Sequence, residues 1–184
     1  PFTVDEVYAP YDENILQVIM HEDGALEERV LASTAASLFC NPKRPDDYAQ
    51  VQKYFESDEL QFASFTITEK GYALKDPSGE FFGYVAAEIA NGPEAAASTM
   101  GIVAALLLAR YEAGAAPIAL VSTDNFSQNG RRFRDAVLTI ANGWYEAGHV
   151  SQGFIEYVSD ESRVSFPWSM IDRITPNPAE AVAQ

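Results

Sequence analysis

The apolar residues of this sequence fall into short β-prone runs and longer segments with helical spacing. Residues 15–20 form an apolar run, an Asp23-Gly24 pair that favours a tight turn follows, and apolar residues return at Leu26. Residues 15–33 are therefore predicted to form a β-hairpin. Residues 60–67 are apolar enough to predict a short strand that is buried on both faces. Further short strands are predicted at residues 118–121 and 163–166.

Helical spacing and capping residues predict the helices that connect these strands. Asp46 and Asp47 can cap one helix start, and Ser98 can cap a longer helix that Gly114 ends. Because short apolar strands alternate with helices, the sequence predicts an α/β fold with a doubly wound, mostly parallel sheet covered by helices on both sides. The predicted helices cover residues 46–57, 81–90, 99–113, 131–147 and 153–158.

The net charge narrows the range of expected partners. The 184 residues, enough for one domain, carry a formal net charge of -15 at pH 7. Such an acidic surface repels nucleic-acid phosphates and anionic lipids, so neither nucleic acid nor a membrane is an expected partner. The most apolar run, residues 100–109, is too short to cross a bilayer and is predicted to lie in a buried helix.

Cysteine and histidine usage gives no support for a metal site. Cys40 is the only cysteine, which rules out an internal disulfide and fits a cytoplasmic protein, and we predict that it is buried. The two histidines, His21 and His149, are far apart in sequence, so no metal site is expected and both are predicted to lie on the surface. The glycine-rich motif G-x-G-x-x-G, which binds dinucleotide phosphates, does not occur.

Ligands of open parallel sheets bind outside the carboxyl ends of the strands, which directs attention to three segments, residues 66–72, 122–130 and 165–176. The second segment is polar except for Phe126, and the Asn125 side chain offers two N–H donors that could hold a developing oxyanion. An alternative is that Asp124 or Asn125 caps the helix that begins near Gly130, with Asn129-Gly130 as a plain turn.

The other two segments also have alternative interpretations. Thr66 and Thr68 are either ligand contacts or ordinary strand residues, and Glu69 is either a general base or a solvated carboxylate. Asp172 and Arg173 are either an internal ion pair or part of a catalytic site. Trp168 and Phe166 are predicted to be core residues.

The same three segments resemble motifs of the mannitol dehydrogenase family, the polyol-specific long-chain dehydrogenases that include fructuronate/mannonate and tagaturonate reductases. Residues 65–72 resemble its T-x-T-E-x-G-Y segment, and residues 122–130 resemble its S-x-D-N-x-x-x-N-G loop. Residues 164–176 resemble its V-S-F-P-x-x-M-[VI]-D-R-I-T-P segment. The order and approximate spacing agree, and the resemblance spans about residues 15–176.

This resemblance implies a Rossmann-like domain of a metal-independent, NAD(P)-dependent oxidoreductase that interconverts a secondary alcohol and a ketone. The expected substrates are sugar alcohols or sugar acids, as in mannitol with fructose or mannonate with fructuronate. Asn125 matches the family asparagine of the oxyanion hole, and Asp172 matches an aspartate that contacts the substrate. Thr66, Thr68 and Glu69 match the segment that borders the nicotinamide of NAD.

Family features that should lie on either side of the chain are absent from it. These are the first β-α-β unit with its glycine-rich turn and a C-terminal helical domain with a lysine general base. We therefore expect residues 1–176 to be a partial dinucleotide-binding domain with an added N-terminal hairpin, and residues 177–184 to be a tail or linker. On this hypothesis the chain is an inactive fragment that self-associates through an exposed sheet edge.

A second hypothesis is a non-catalytic binding or assembly module that retains the fold. The sequence leaves open the choice between a polyol and a hexuronate substrate and between NAD and NADP.

Overall fold

The computed structural model describes residues 2–171 of the chain, which divides into two compact units, Pro1–Lys53 and Tyr54–Gln184. In the first unit, strands β1 (Ile15–Met20) and β2 (Leu26–Leu31) pair antiparallel and confirm the predicted hairpin. Helix α1 (Pro45–Glu56) begins in this unit and ends in the second.

The turn of the hairpin forms at the predicted Asp-Gly pair. Gly24 has a φ of +84°, and the Asp23 carboxylate accepts the Ala25 N–H at 2.9 Å. Cys40, in the same unit, is exposed, so the prediction that it is buried is wrong. It lies between the hairpin and α1, in a segment with no regular secondary structure.

The second unit contains a parallel sheet of three strands in the order β3-β4-β5. The helices between these strands confirm the predicted alternation, and α4 begins two residues earlier than predicted. The strands are β3 (Phe62–Phe65), β4 (Ile118–Ser122) and β5 (Val164–Ser165). The helices are α2 (Gly83–Asn91), α3 (Thr99–Glu112), α4 (Asn129–Glu146) and α5 (Gln152–Ser159).

The core of this unit lies between one face of the sheet and the helices. Ile118, Leu120 and Val164 are buried on that face, and α4 contacts β4, α3 and α5. The Phe133 ring of α4 packs edge-on against Phe65 at 4.8 Å between ring centroids. Helix α3, which contains the apolar run of residues 100–109, is buried along most of its length, as predicted.

The opposite face of β3 is open to solvent. Phe62 is 62% exposed and Ser64 is exposed, so the prediction that this strand is buried on both faces is wrong. Strands that follow one another in chain order through right-handed crossovers receive their helices on the same face. The residues of β3 that point away from those helices therefore contact solvent.

Two charged residues that are almost completely buried in the second unit, Glu88 and Arg110, are hydrogen-bonded to the backbone. The Glu88 carboxylate accepts the backbone N–H groups of Ala97 and Ser98 just before α3, at 2.8 and 2.9 Å. Ser98 is the predicted cap, since its side chain accepts the Gly101 N–H at 2.9 Å. The Arg110 guanidinium donates to five backbone carbonyls at 2.7 to 2.8 Å, those of Phe55, Ser57, Leu60, Ala116 and Pro117.

Within residues 2–171, no helix combines the length and the apolar character needed to span a lipid bilayer. In the same range, no three side chains among His, Cys, Asp and Glu come together in a way that could hold a metal ion. His21 and His149 are both exposed, as predicted.

Candidate functional site

The first two polar segments leave the sheet side by side, because β3 and β4 are parallel neighbours whose last residues, Phe65 and Ser122, pair. The Thr66 and Thr123 hydroxyls lie 2.6 Å apart and are hydrogen-bonded. The Thr123 hydroxyl and N–H both donate to the Phe65 carbonyl, at 2.9 and 2.8 Å. This edge of the sheet, with residues 66–72, 122–130 and 165–171, is called the rim below.

A buried carboxylate joins the two segments. Asp124, only 8% exposed, accepts the Ile67 N–H at 2.7 Å and the Tyr72 hydroxyl. The hydroxyls of Tyr72 and Ser122 are hydrogen-bonded at 2.9 Å. A buried carboxylate is stable only when its oxygens are paired, and both of these donors to Asp124 come from residues 66–72. The network therefore fixes the loop of residues 122–130 against residues 66–72.

The alternative that Asp124 or Asn125 caps the next helix is wrong. The residue that precedes α4 is Gln128, with a φ of +58° and no side-chain cap hydrogen bond. The Asp124 carboxylate points instead to the neighbouring segment. Asn129 and Gly130 do not form a plain turn either, because they are the first residues of α4.

The Tyr72 hydroxyl has a pKa raised well above its ordinary value. Burial disfavours the phenolate, and the hydrogen bond to the Asp124 carboxylate raises the pKa further. The ring packs edge-on against Phe126 and Phe133, with centroid distances of 5.2 and 5.7 Å. Tyr72 therefore remains a neutral donor at physiological pH and stabilises the Asp124 carboxylate.

Replacing Tyr72 with phenylalanine should lower the free energy of unfolding at pH 7 by about 1.5–3 kcal/mol, because the hydroxyl hydrogen bond to the buried Asp124 carboxylate is lost. The pH dependence should differ as well. A raised folded-state pKa contributes stability below the unfolded value, near 10, and this contribution is lost as the pH rises above it. Between about pH 10 and 12 the unsubstituted chain should therefore lose more stability than Tyr72→Phe, by at most about 1.4 kcal/mol per pH unit.

The measurement is urea unfolding of both proteins over this pH range. Tyr145→Phe, at an exposed tyrosine on α4, is the matched control and should follow the unsubstituted chain. Tyr157 also has a pKa raised by burial, but it is present in every variant and cancels in the comparison. Parallel alkaline curves for Tyr72→Phe and the unsubstituted chain would contradict the prediction.

The third segment reaches the rim through Asn129, which is 1% exposed. Its side-chain amide donates to the Asp124 carbonyl at 2.9 Å and to the Ser169 carbonyl at 3.0 Å. The structure thus brings all three segments together at one edge of the sheet, as far as Ile171. Asp172 lies outside the described residues. Sequence reasoning gave Asn129 no role at the site and offered only a plain turn, although the N-G of the family motif falls on Asn129 and Gly130.

The predicted site residues at the rim are exposed. Asn125 is exposed, and its side chain forms no hydrogen bond to residues 2–171, so its amide can meet a ligand. Thr66 and Thr68 are exposed, although the Thr66 hydroxyl is bonded to Thr123. The Glu69 carboxylate accepts a hydrogen bond from Arg132 at 2.5 Å, with 66% of its side chain exposed.

The two aromatic residues of the third segment differ from each other. Phe166 is 8% exposed and packs edge-on against Phe133, which confirms the prediction of a core position. Trp168 is 63% exposed, so the same prediction is wrong for it. The chain leaves the core at Pro167, directly after the buried Phe166, and this exit places Trp168 on the surface.

Two clefts flank the rim. One has a volume of about 440 Å³ and is lined by residues that include Glu69, Tyr72 and Arg132. The other, of about 550 Å³, is lined by residues that include Gly130 and Trp168. Both volumes are within the range of small-molecule sites. Asn125 lines neither of these two clefts.

The parallel sheet, its connecting helices and the polar rim together define a Rossmann-like domain. A family model described as "Mannitol dehydrogenase Rossmann domain" matches residues 11–184, and the chain belongs to this family. The resemblance drawn from the three motifs is therefore confirmed.

Two curated relatives show what the chain is similar to. It is 43% identical over 181 residues to D-mannonate oxidoreductase from Thermotoga maritima, a match that covers 98% of this chain and 33% of that protein. It is 32% identical over 140 residues to mannitol 2-dehydrogenase from Cereibacter sphaeroides, covering 71% of this chain and 26% of that protein. The chain thus spans a third or less of the length of these relatives.

Solved structures agree on the fold. A substrate-free D-sorbitol dehydrogenase is similar with a TM-score of 0.69 and 26% identity, covering 96% of this chain and 34% of that one. Mannitol 2-dehydrogenase from Pseudomonas fluorescens, in a ternary complex with NAD and D-mannitol, is similar with a TM-score of 0.68 and 28% identity. That match covers 95% of this chain and 33% of the other.

Proposed function

We propose that this chain is the Rossmann-like part of a cytoplasmic NAD(P)-dependent oxidoreductase that interconverts a secondary alcohol of a polyol or aldonate with its ketone. The observation that carries the proposal is the exposed Asn125 amide at a rim that the buried Asp124 carboxylate holds in place. The 43% identity to a D-mannonate oxidoreductase supports a sugar acid or a sugar alcohol as the substrate.

The reaction removes a hydride from the carbinol carbon and a proton from its oxygen. Bound NAD(P) would supply the hydride acceptor. Negative charge develops on the substrate oxygen as its proton leaves, and the two N–H donors of Asn125 stabilise that charge. The general base of this proposal is a lysine outside the chain, as the family resemblance implies, and Asp172 binds a substrate hydroxyl.

The rim fits the nicotinamide end of the cofactor better than its phosphate end. Thr66, Thr68 and Glu69 present hydroxyl and carboxylate oxygens on the exposed side of the rim, and we assign them to this end. The chain contains no G-x-G-x-x-G motif, which would otherwise bind the pyrophosphate. Residues 1–176 are accordingly proposed to be a partial dinucleotide-binding domain that residues 177–184 link to further polypeptide, and the isolated chain is proposed to be inactive.

An activity screen of the full-length protein tests this function. With NADH or NADPH, fructose, fructuronate and tagaturonate should be assayed in parallel, and at least one should be reduced at a rate well above that without substrate. This chain alone should give no rate in the same assay. A full-length protein that reduces none of the three ketoses would contradict the proposal.

The open edge and open face of β3 support a separate proposal, that the isolated chain self-associates with a second copy. Among the described residues, β3 pairs only with β4, and Phe62 on its open face is 62% exposed. Unpaired strand edges and apolar faces favour pairing with another chain.

Sedimentation velocity of the isolated chain tests this proposal. It should show a dimer that Phe62→Glu weakens, with Tyr145→Glu as the exposed aromatic control. A monomer at high concentration would contradict it.

A further inference from the structure

The buried side chain of Asn129 connects two segments of the rim. One is the loop of residues 122–130, which contains Asn125 and is called the Asn125 loop, and the other is the segment of residues 165–171, which precedes Asp172. Its amide nitrogen donates to the carbonyls of Asp124 and Ser169, and its oxygen accepts the N–H groups of Gly130 and Ser169 at 2.8 and 3.2 Å. Both N–H donors and both acceptor positions of the amide are therefore in use. Ser169 completes the link by donating its hydroxyl to the Ser122 carbonyl.

Gly130 permits the close approach that these hydrogen bonds require. A Cβ at this position would overlap the Phe166 carbonyl oxygen and would lie 2.7 Å from both the Pro167 carbonyl oxygen and Trp168 Cδ1. The backbone after β5 thus lies directly on the first turn of α4. Any larger residue would push this segment away from the rim.

Apolar burial contributes little to holding the segment after Phe166. Trp168, Met170 and Ile171 are 63%, 73% and 53% exposed. The hydrogen bonds of Asn129 and Ser169, together with the close packing at Gly130, are the main contacts that fix its position among the described residues.

We propose that Asn129 is a positioning residue that sets the placement of this segment relative to the Asn125 loop, an inference that rests on the proposed function. Asn129 bonds the backbone of Asp124, directly before Asn125, and that of Ser169, three residues before Asp172. One amide therefore sets the spacing between the oxyanion donor and the substrate-side segment. Displacing a reacting group by about 1 Å can lower a rate by about 100-fold.

The first experiment measures amide hydrogen exchange by NMR in this chain. Asn129→Ala should speed exchange of the Ser169 amide at least about tenfold, because its acceptor is lost, while the core amides of Leu120 and Val137 change little. Asn142→Ala is the matched control, since Asn142 is an exposed asparagine on the same helix. Unchanged exchange at Ser169 would overturn the proposal, and so would equal acceleration at the core amides.

The second experiment measures steady-state kinetics of the full-length protein. Asn129→Ala should lower kcat/KM for the sugar substrate by about 10- to 100-fold and change the Kd for the cofactor by less than about threefold. Ser169→Ala removes only a hydroxyl at a part-buried site and should lower kcat/KM in the same direction by a smaller factor. This variant replaces Asn129→Ala in the test if Asn129→Ala folds poorly. Faster Ser169 exchange with unchanged kinetics, or equal losses for sugar and cofactor, would overturn the positioning role.

The two proposals fail in different ways. If Asn125→Ala leaves turnover unchanged, the oxyanion role is wrong, whatever the exchange data show. If Asn125→Ala lowers turnover while Asn129→Ala changes neither the Ser169 exchange nor kcat/KM for the sugar, only the positioning role is wrong.

Discussion

Replacing Arg110 with alanine is expected to lower the free energy of unfolding of the second unit by at least about 3 kcal/mol, a loss in the range that only a few kinds of substitution produce. Arg110 is fully buried, and its guanidinium donates to five backbone carbonyls. Each buried carbonyl left without a donor costs about 1–3 kcal/mol, although water entering the vacated space would satisfy some of them.

The position of these carbonyls explains why the loss should spread through the sheet. Phe55, Ser57 and Leu60 lie on the approach to β3, and Ala116 and Pro117 lie on the approach to β4. Arg110, near the end of α3, therefore fixes the segments that precede two neighbouring strands, β3 and β4. Without Arg110, both segments lose the same hydrogen-bond donor.

Urea unfolding followed by the fluorescence of Trp144, which is fully buried in α4, measures this effect. Arg110→Lys keeps the charge but has three donors instead of five, so it should lose about half as much stability as alanine. Arg131→Ala, at an exposed arginine on α4, should change stability by less than about 0.5 kcal/mol. A loss below about 1 kcal/mol for Arg110→Ala would show that water replaces the guanidinium at little cost.

Arg110 also shows which parts of the fold the sequence could not predict. The strands, the helices α1 to α5 and the Ser98 cap follow from local periodicity and capping chemistry, so they could be predicted one segment at a time. The partners of Arg110 lie up to 55 residues away in the sequence. No local pattern indicates that an arginine in an apolar helix will donate hydrogen bonds to backbone carbonyls. The exposed face of β3 was missed because an apolar strand does not reveal what will cover it.

The candidate site likewise contains residues that the sequence indicates and contacts that it does not. Thr66, Glu69 and Asn125 were predicted as site residues from the motifs and from the rule that ligands bind at the carboxyl ends of parallel strands, and they remain predictions. The Asp124 and Asn129 hydrogen bonds could not be predicted, because they join residues up to 57 positions apart whose proximity depends on the strand register. Polar side chains of this kind resemble helix caps until the neighbouring segment is known.

Replacing Asn125 with alanine in the full-length protein is expected to lower turnover by about 100- to 1000-fold, the typical loss when one oxyanion donor is removed. The hydrogen bond acts on charge that develops only as the substrate proton leaves, so it stabilises the transition state more than the bound substrate. Cofactor affinity should change by less than about twofold.

The geometry of the rim makes this substitution informative. The Asn125 side chain forms no hydrogen bond to residues 2–171, and the loop is fixed by Asp124 and Asn129 instead. Alanine should therefore remove the donor without displacing the loop.

Ser127→Ala, at an exposed residue of the same loop, is the matched control and should leave turnover within about twofold. Steady-state kinetics with the ketose found in the screen, together with cofactor titration, separate these effects. If Asn125→Ala leaves turnover unchanged, other donors must stabilise the oxyanion. If the substitution lowers turnover and cofactor affinity equally, Asn125 must contact the nicotinamide instead.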